Sequence, residues 1–165
     1  MVSALPNIHP FVVHFPIALF TTAFFCDVVL LLGWRRLWFD RSAALLYIVA
    51  ALLSVAAALS GKFAADELDT SVPGIDEFVL EAVALHGDWA FLAVVLLFVV
   101  AGMRFEAMWR DRFETVATLH RARLLALAVS VVAQGVIVHT AGRGGELVYR
   151  YGVAVQDHAI IPERR

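Results

Sequence analysis

Cysteine and charged residues are scarce in this sequence of 165 residues. Cys26 is the only cysteine, which excludes an intrachain disulfide, a thiolate zinc site and a C-x-x-C redox motif. Charged residues make up 17% of the chain, against roughly 25% in an ordinary soluble domain. The net charge is −2, so there is no basic excess to neutralise the phosphates of a nucleic acid. These shortages exclude a small soluble enzyme, a disordered tail and a nucleic-acid-binding protein.

Catalytic motifs are missing as well. The sequence has no Gly-x-Ser-x-Gly, no His-Glu-x-x-His and no phosphate-binding glycine loop, so hydrolase and nucleotide-binding functions have no support. The sequence therefore contains no catalytic motif that would indicate a stand-alone enzyme.

Apolar residues are abundant, at 61% of the chain, and the mean hydropathy is +0.80. They form four long stretches at residues 11–33, 43–61, 82–102 and 122–142. About 20 residues of helix cross a ~30 Å hydrocarbon core, and each stretch has about that length. Residues 1–10 contain no Lys or Arg, which argues against a cleavable signal peptide. The sequence therefore predicts one integral membrane domain over residues 1–165.

The links between these stretches are short, at residues 34–42, 62–81 and 103–121. Short links place consecutive spans side by side and antiparallel, which predicts an all-α, up-down-up-down four-helix bundle. Eight of the 13 Lys and Arg residues lie on the side of the first and third links, and five on the other. The positive-inside rule then puts both termini and the acidic link 62–81 outside the cytoplasm.

Glycine follows or closes each apolar stretch, at Gly33, Gly61, Gly102 and Gly142, which predicts that the helices end there. Beyond the fourth, Gly144 and Gly145 indicate a flexible exit. The segment LVYRYGVAV at residues 147–155 is rich in β-forming residues and predicts a short strand in an extracytoplasmic C-terminal segment.

Four of the six histidines fall at about the same depth on the predicted outer side of the membrane. They come from three spans and are His9, His14, His86 and His139. An ionisable side chain at membrane depth normally faces the bundle interior and has a partner. Imidazole is a common metal ligand and an axial ligand of haem iron, so the layer predicts a bound cofactor.

A b-type haem needs two imidazoles from different helices and space for a flat macrocycle. Small residues lie near three of the histidines and would leave such space: Ala18, Ala90, Ala93, Ala128 and Gly135. In an up-down-up-down bundle His14 and His86 would face each other across the core, with His139 as a substitute or second partner and His9 capping the site. His120 is alone on the inner side, so one chain would hold one haem.

Small residues are also what tight packing of membrane helices uses, so purely structural histidines stay a second interpretation. A quinone pocket and a periplasm-facing copper or zinc site made by the same four histidines are further ones. The face of the second span formed by Ala50, Ser54, Ala57 and Gly61 fits close packing or a flat ligand.

Asp27 is a carboxylate inside the first span and needs a partner there. Arg35, Arg36 and Arg123 lie near enough in the predicted topology to reach it. A structural ion pair is favoured over a proton relay.

Two segments resemble a known family. They are HPFVVHFPIAL at residues 9–19 and GGELVY at residues 144–149, followed by Gly152 and Val153. Both are similar to the bacterial predicted membrane family called domain of unknown function 2231. The resemblance covers nearly the whole chain and implies a four-span module of the bacterial inner membrane, sometimes joined to cytochrome or iron–sulfur domains. The family pattern maps onto His9, His14 and His86, while Tyr151 stands where relatives often have histidine. No established activity comes with the family.

The sequence as a whole favours a membrane subunit that carries electrons through one haem near the periplasmic face. Its partners would be the lipid bilayer and a periplasmic or membrane redox protein. The alternative is a non-catalytic accessory subunit of a larger respiratory or photosynthetic complex.

Overall fold

The structure is a computed structural model and describes residues 8–33, 37–68, 75–110 and 116–153. It has five helices: α1 (His9–Val12), α2 (His14–Leu31), α3 (Leu37–Asp66), α4 (Glu77–Arg110) and α5 (Val116–Tyr149). Together α1 and α2 form the first of four helical segments that are long and apolar enough to cross a membrane. The predicted all-α four-helix bundle is confirmed.

Each helix packs against the next one along the chain, and α2 also contacts α5. The bundle is therefore a closed ring of antiparallel helices, with α2 diagonal to α4. Its centre is filled by Phe20, Tyr47 and Val100, whose side chains are fully buried, and by Ala133. The rings of Phe20 and Tyr47 meet edge to face at 5.0 Å. The small face of α3 packs inward as predicted, since Ala50, Ser54 and Ala57 are buried.

Large apolar side chains cover the outside of the helices. Phe25, Leu52, Phe91 and Val132 are exposed near the middle of their helices. In water such a surface would drive aggregation, whereas lipid chains solvate it. At 34 residues, α4 is roughly 50 Å long, so its ends extend beyond the hydrocarbon core into the headgroup region.

The first span is interrupted near its start. Val13 lies between α1 and α2 as a turn, and Pro16 falls in the first turn of α2. Proline has no N–H to donate to the preceding turn, so the break follows from its position. Pro16 therefore lies at a helix start, where its missing N–H is tolerated.

Glycine does not end the helices as the sequence predicted, except at Gly33. That residue follows α2 and has a φ of +104°, a conformation that favours glycine. In contrast, Gly61, Gly102 and Gly142 all lie within helices. These three predictions were wrong because packing against neighbouring helices outweighs the modest intrinsic penalty of a helical glycine.

The strand predicted at residues 147–155 was also wrong where the structure describes that segment. Helix α5 passes through Gly144 and Gly145 and continues to Tyr149, and turns follow at residues 150–153. Leu147 is buried in a small cluster with Ile75, Val79 and Val153. This contact is made on one helical face, so tertiary packing overrides the β propensity of the segment.

Candidate functional site

The four outer histidines all lie at one end of the bundle. His9 and His14 begin the first span, His86 lies in the third turn of α4, and His139 lies ten residues before the last residue of α5. Because neighbouring helices are antiparallel, these positions share one side. The structure describes neither the side chain of His120 nor residue His158.

His9 is held by α3 at a serine and a glycine. Its Nδ1 lies 2.9 Å from Ser60 Oγ, and the Ser60 hydroxyl donates its single hydrogen to the Ala57 carbonyl at 2.8 Å. The serine oxygen is then available to accept a hydrogen from His9 Nδ1. The backbone of Ala57 also lies within hydrogen-bonding reach of the His9 ring, so α3 holds this imidazole through both residues.

The His9 ring rests directly on Gly61. A Cβ atom at that position would lie only 2.8 Å from His9 Cε1, closer than two carbon atoms can pack. Only glycine leaves room for the imidazole at this place. Helix α3 therefore supplies both the hydrogen-bond acceptor and the backbone surface on which the ring packs.

His86 packs against Gly144 of α5 in a similar way. A Cβ at Gly144 would lie 3.1 Å from His86 Cε1, and the backbone of Thr140 lies within hydrogen-bonding reach of the ring. His86 Nδ1 is buried and has no hydrogen-bond partner among the described residues. His9 and His86 are both half-buried and lie at the same end of the bundle. We call His9 and His86, with Ser60, Gly61 and Gly144, the outer histidine site.

Replacing Gly61 with alanine is expected to destabilise the protein relative to the matched Gly142→Ala variant. Alanine gains about 0.5–1 kcal/mol of helix propensity at either position. At Gly142 an added Cβ has no neighbour within 4 Å, whereas at Gly61 it displaces His9. Overpacking typically costs about 1–3 kcal/mol, so thermal unfolding in detergent should separate the two variants by that amount. If Gly61→Ala and Gly142→Ala are equally stable, the His9 ring does not pack against Gly61.

His14 and His139 lie apart from this site. His14 is exposed, and its Nδ1–H donates to the Pro10 carbonyl. His139 is exposed and packs edge to face on Trp89, with ring centroids 4.4 Å apart. Two of the small residues predicted to admit a macrocycle, Ala18 and Gly135, are exposed as well.

A site of three or more protein ligands is not formed by the part of the chain that the structure describes. No three His, Cys, Asp or Glu side chains there are grouped closely enough to hold a metal ion. Of the four histidines at this end, His9 and His86 are half-buried, whereas His14 and His139 are exposed.

A second polar site lies at the other end of the bundle. Arg104 is 1% exposed, and its Nη2 lies 2.9 Å from Asp27 Oδ1 and 2.8 Å from Asp40 Oδ1. Arg123 Nη2 lies 2.5 Å from Asp40 Oδ2. These four side chains come one each from α2, α3, α4 and α5, and we call them the inner ion cluster. Tyr47 Oη and Asp27 Oδ2 are buried beside it without a hydrogen bond of standard geometry.

The ion pair predicted for Asp27 is therefore present, but its direct partner is Arg104. The sequence indicated Arg35, Arg36 or Arg123, of which the first two lie outside the described residues. From the sequence, Arg104 counted only among the eight basic residues on the predicted cytoplasmic side. The sequence did contain an indication of this pairing. Arg104 lies only two residues beyond an apolar stretch, and an arginine buried there needs a carboxylate partner.

Gln134 makes a further interhelical hydrogen bond among the described residues. Gln134 Nε2 donates to Thr21 Oγ1 at 3.0 Å and joins α5 to α2. Ser54 and Ser130 donate to carbonyls of their own helices instead. Within the described residues, the inner ion cluster, the His9–Ser60 and Gln134–Thr21 contacts and close packing hold the helices together.

Comparison with known proteins identifies the family and no activity. No curated protein and no solved structure matches the chain. A family model described as a predicted membrane protein, DUF2231, matches residues 5–157. Its match covers most of the chain and agrees with the four membrane-spanning helices. The chain belongs to this family of predicted membrane proteins.

Proposed function

We propose that this protein is a membrane electron-transfer subunit that holds one b-type haem at the outer histidine site, with His9 and His86 as the axial ligands. The observation that carries the proposal is the placement of two half-buried imidazoles from different helical segments at one end of the bundle, one of them with a buried nitrogen that has no hydrogen-bond partner among the described residues. A bound group that accepts or ligates this nitrogen would satisfy it.

The donor set fits haem iron. Two neutral imidazoles, without a carboxylate or thiolate in the pair, are the ligands of a bis-histidine haem. Metal-ligating histidines usually donate their second ring N–H to a protein acceptor, which orients the ring and raises its basicity. Ser60 would perform this role for His9, because its oxygen lies 2.9 Å from His9 Nδ1 and its own hydrogen is donated to the Ala57 carbonyl.

The protein's own contribution is to position the rings and control their surroundings. Gly61 and Gly144 let each imidazole lie against a helix backbone, and the apolar outer surface embeds the site in lipid. A haem bound there supplies one-electron redox chemistry, whose potential depends on ligand basicity and burial.

Electron exchange at this end calls for a partner on the same side of the membrane. The positive-inside bias places the outer histidine site at the extracytoplasmic face of a bacterial inner membrane. Exposed carboxylates of Asp66, Asp76 and Glu77 lie at this end and would attract a basic redox protein. A quinone in the bilayer or a larger membrane complex would be the second partner.

The test is a reduced-minus-oxidised absorption spectrum of the full chain, purified in detergent from cells with ample haem. We expect the signal of a six-coordinate b-type haem at one haem per chain. His9→Ala and His86→Ala should each remove it, and imidazole added to the solution should restore part of it. The matched controls, His14→Ala and His139→Ala, should keep the signal.

Three outcomes would overturn the proposal or its assignment. Absence of haem from the wild-type protein would eliminate the electron-transfer function. Stoichiometric copper or zinc without iron would replace it by a metal site. Loss of the signal in His14→Ala or His139→Ala, with retention in His9→Ala, would assign the ligands to other histidines.

A further inference from the structure

A separate pocket opens between the outer ends of α4 and α5. Its volume is about 190 Å³, and its walls include Phe78, Glu81, Arg143, Glu146, Leu147 and Tyr151. Pockets for drug-sized ligands occupy about 300–1,000 Å³, so this one accepts a smaller group. We call it the headgroup pocket.

The pocket lies at the depth of lipid headgroups. The apolar stretch of α4 begins at Ala82, directly after Glu81, and the apolar stretch of α5 ends at Gly142, directly before Arg143. Charged residues that flank an apolar span mark the boundary between hydrocarbon and headgroups. The walls of the pocket are correspondingly mixed, with apolar side chains beside charged ones.

A cationic and an anionic side chain line this pocket without pairing with each other. Arg143 and Glu81 both line it, yet neither forms an ion pair or a hydrogen bond within the described residues. Glu146, in contrast, accepts a hydrogen bond from Arg150 at 2.8 Å. One cation and one carboxylate therefore face the same small space without neutralising each other.

We propose that the headgroup pocket binds the zwitterionic phosphoethanolamine headgroup of a phospholipid, with Arg143 on the phosphate and Glu81 on the ammonium. Arginine is suited to phosphate because its planar guanidinium donates two parallel hydrogen bonds. A primary ammonium donates hydrogen bonds to a carboxylate, and this distinguishes ethanolamine from choline, which has no N–H. The acyl chains lie along the apolar surface of α4 and α5.

A choline headgroup fits the pocket less well. Quaternary ammonium groups bind over the faces of aromatic rings. The Arg150 guanidinium lies 5.6 Å from the centre of the Tyr151 ring, and Phe78 meets that ring edge to face at 5.7 Å. Phe78 and Tyr151 thus already contact each other, and Tyr151 also contacts Arg150. The carboxylate of Glu81 is therefore the better contact for a cationic headgroup.

Native mass spectrometry of the full chain in detergent tests this proposal. The probes are phosphatidylethanolamine, phosphatidylcholine and phosphatidylglycerol with identical acyl chains, added in equal amounts. We expect phosphatidylethanolamine adducts to exceed each of the others by about tenfold, which corresponds to one good charged contact. Soluble phosphoethanolamine should compete with them at high concentration, and this arm separates headgroup recognition from chain packing.

Two variants test the roles of Arg143 and Glu81, and two control variants change charges outside the headgroup pocket. Arg143→Gln should reduce the adducts of all three lipids, while Glu81→Gln should keep binding and remove the preference for ethanolamine over choline. Glu77→Gln and Lys62→Gln change exposed charges at the same end, outside the headgroup pocket, and should leave the preference intact. Equal adducts of the three lipids in the wild-type protein, or no change in either pocket variant, would overturn the proposal.

Discussion

Replacing Arg104 with methionine is expected to lower the free energy of unfolding by about 3–5 kcal/mol, because it leaves buried charges without a partner. Arg104 is 1% exposed and pairs with both Asp27 and Asp40. Once it is removed, Asp27 loses its direct ion pair, and Asp40 keeps only Arg123. Thermal or denaturant unfolding in detergent, followed by circular dichroism, measures the loss.

A matched control separates this effect from the removal of any surface cation. Lys62→Met removes the exposed partner of Asp66, four residues away on α3, and should change stability by no more than about 0.5 kcal/mol. Adding Asp27→Asn to Arg104→Met should recover part of the stability, because the uncompensated carboxylate is gone. Equal losses in Arg104→Met and Lys62→Met would contradict a stabilising role for the inner ion cluster.

Ser60→Ala is expected to weaken haem binding by about 10- to 100-fold, the usual effect of removing the acceptor behind a metal-ligating histidine. Without this hydroxyl, His9 Nδ1–H loses its partner at 2.9 Å, and the ring is no longer oriented. The imidazole also becomes less basic, so the reduction potential should rise. Haem titration of the apoprotein and a redox titration of the loaded protein measure the two effects.

Ser54→Ala is the control for this prediction. Ser54 lies on the same helix and donates to the carbonyl three residues before it, as Ser60 does. No hydrogen bond connects Ser54 to a histidine among the described residues. Ser60→Thr keeps the hydroxyl and should retain affinity. If Ser60→Ala behaves as Ser54→Ala does, Ser60 does not support a ligand.

The sequence alone determined the architecture of this protein. Four apolar stretches of membrane-spanning length must be helical, because a lipid-exposed backbone has to satisfy its hydrogen bonds within the segment. Short links then make neighbours antiparallel. The same reasoning placed four histidines at one end and required an ion-pair partner for Asp27, since burial of an unpaired charge is costly at any position in the membrane.

Tertiary structure decided which side chains meet. On a helix, positions five residues apart such as His9 and His14 point about 140° apart, and the side that carries His9 packs against α3. His9 therefore contacts Ser60, whereas His14 is exposed. The sequence had given the central role to His14 and a capping role to His9.

The partner of Asp27 and the end of α5 depended on packing in the same way. Arg104 and Arg123 both lie at the inner end, and only the rotation of α4 and α5 about their axes puts Arg104 against Asp27. Leu147 keeps its segment helical because Ile75 and Val79 bury it. A periodic pattern fixes the type and length of an element, but its rotation and neighbours follow from contacts between elements, which no single segment encodes.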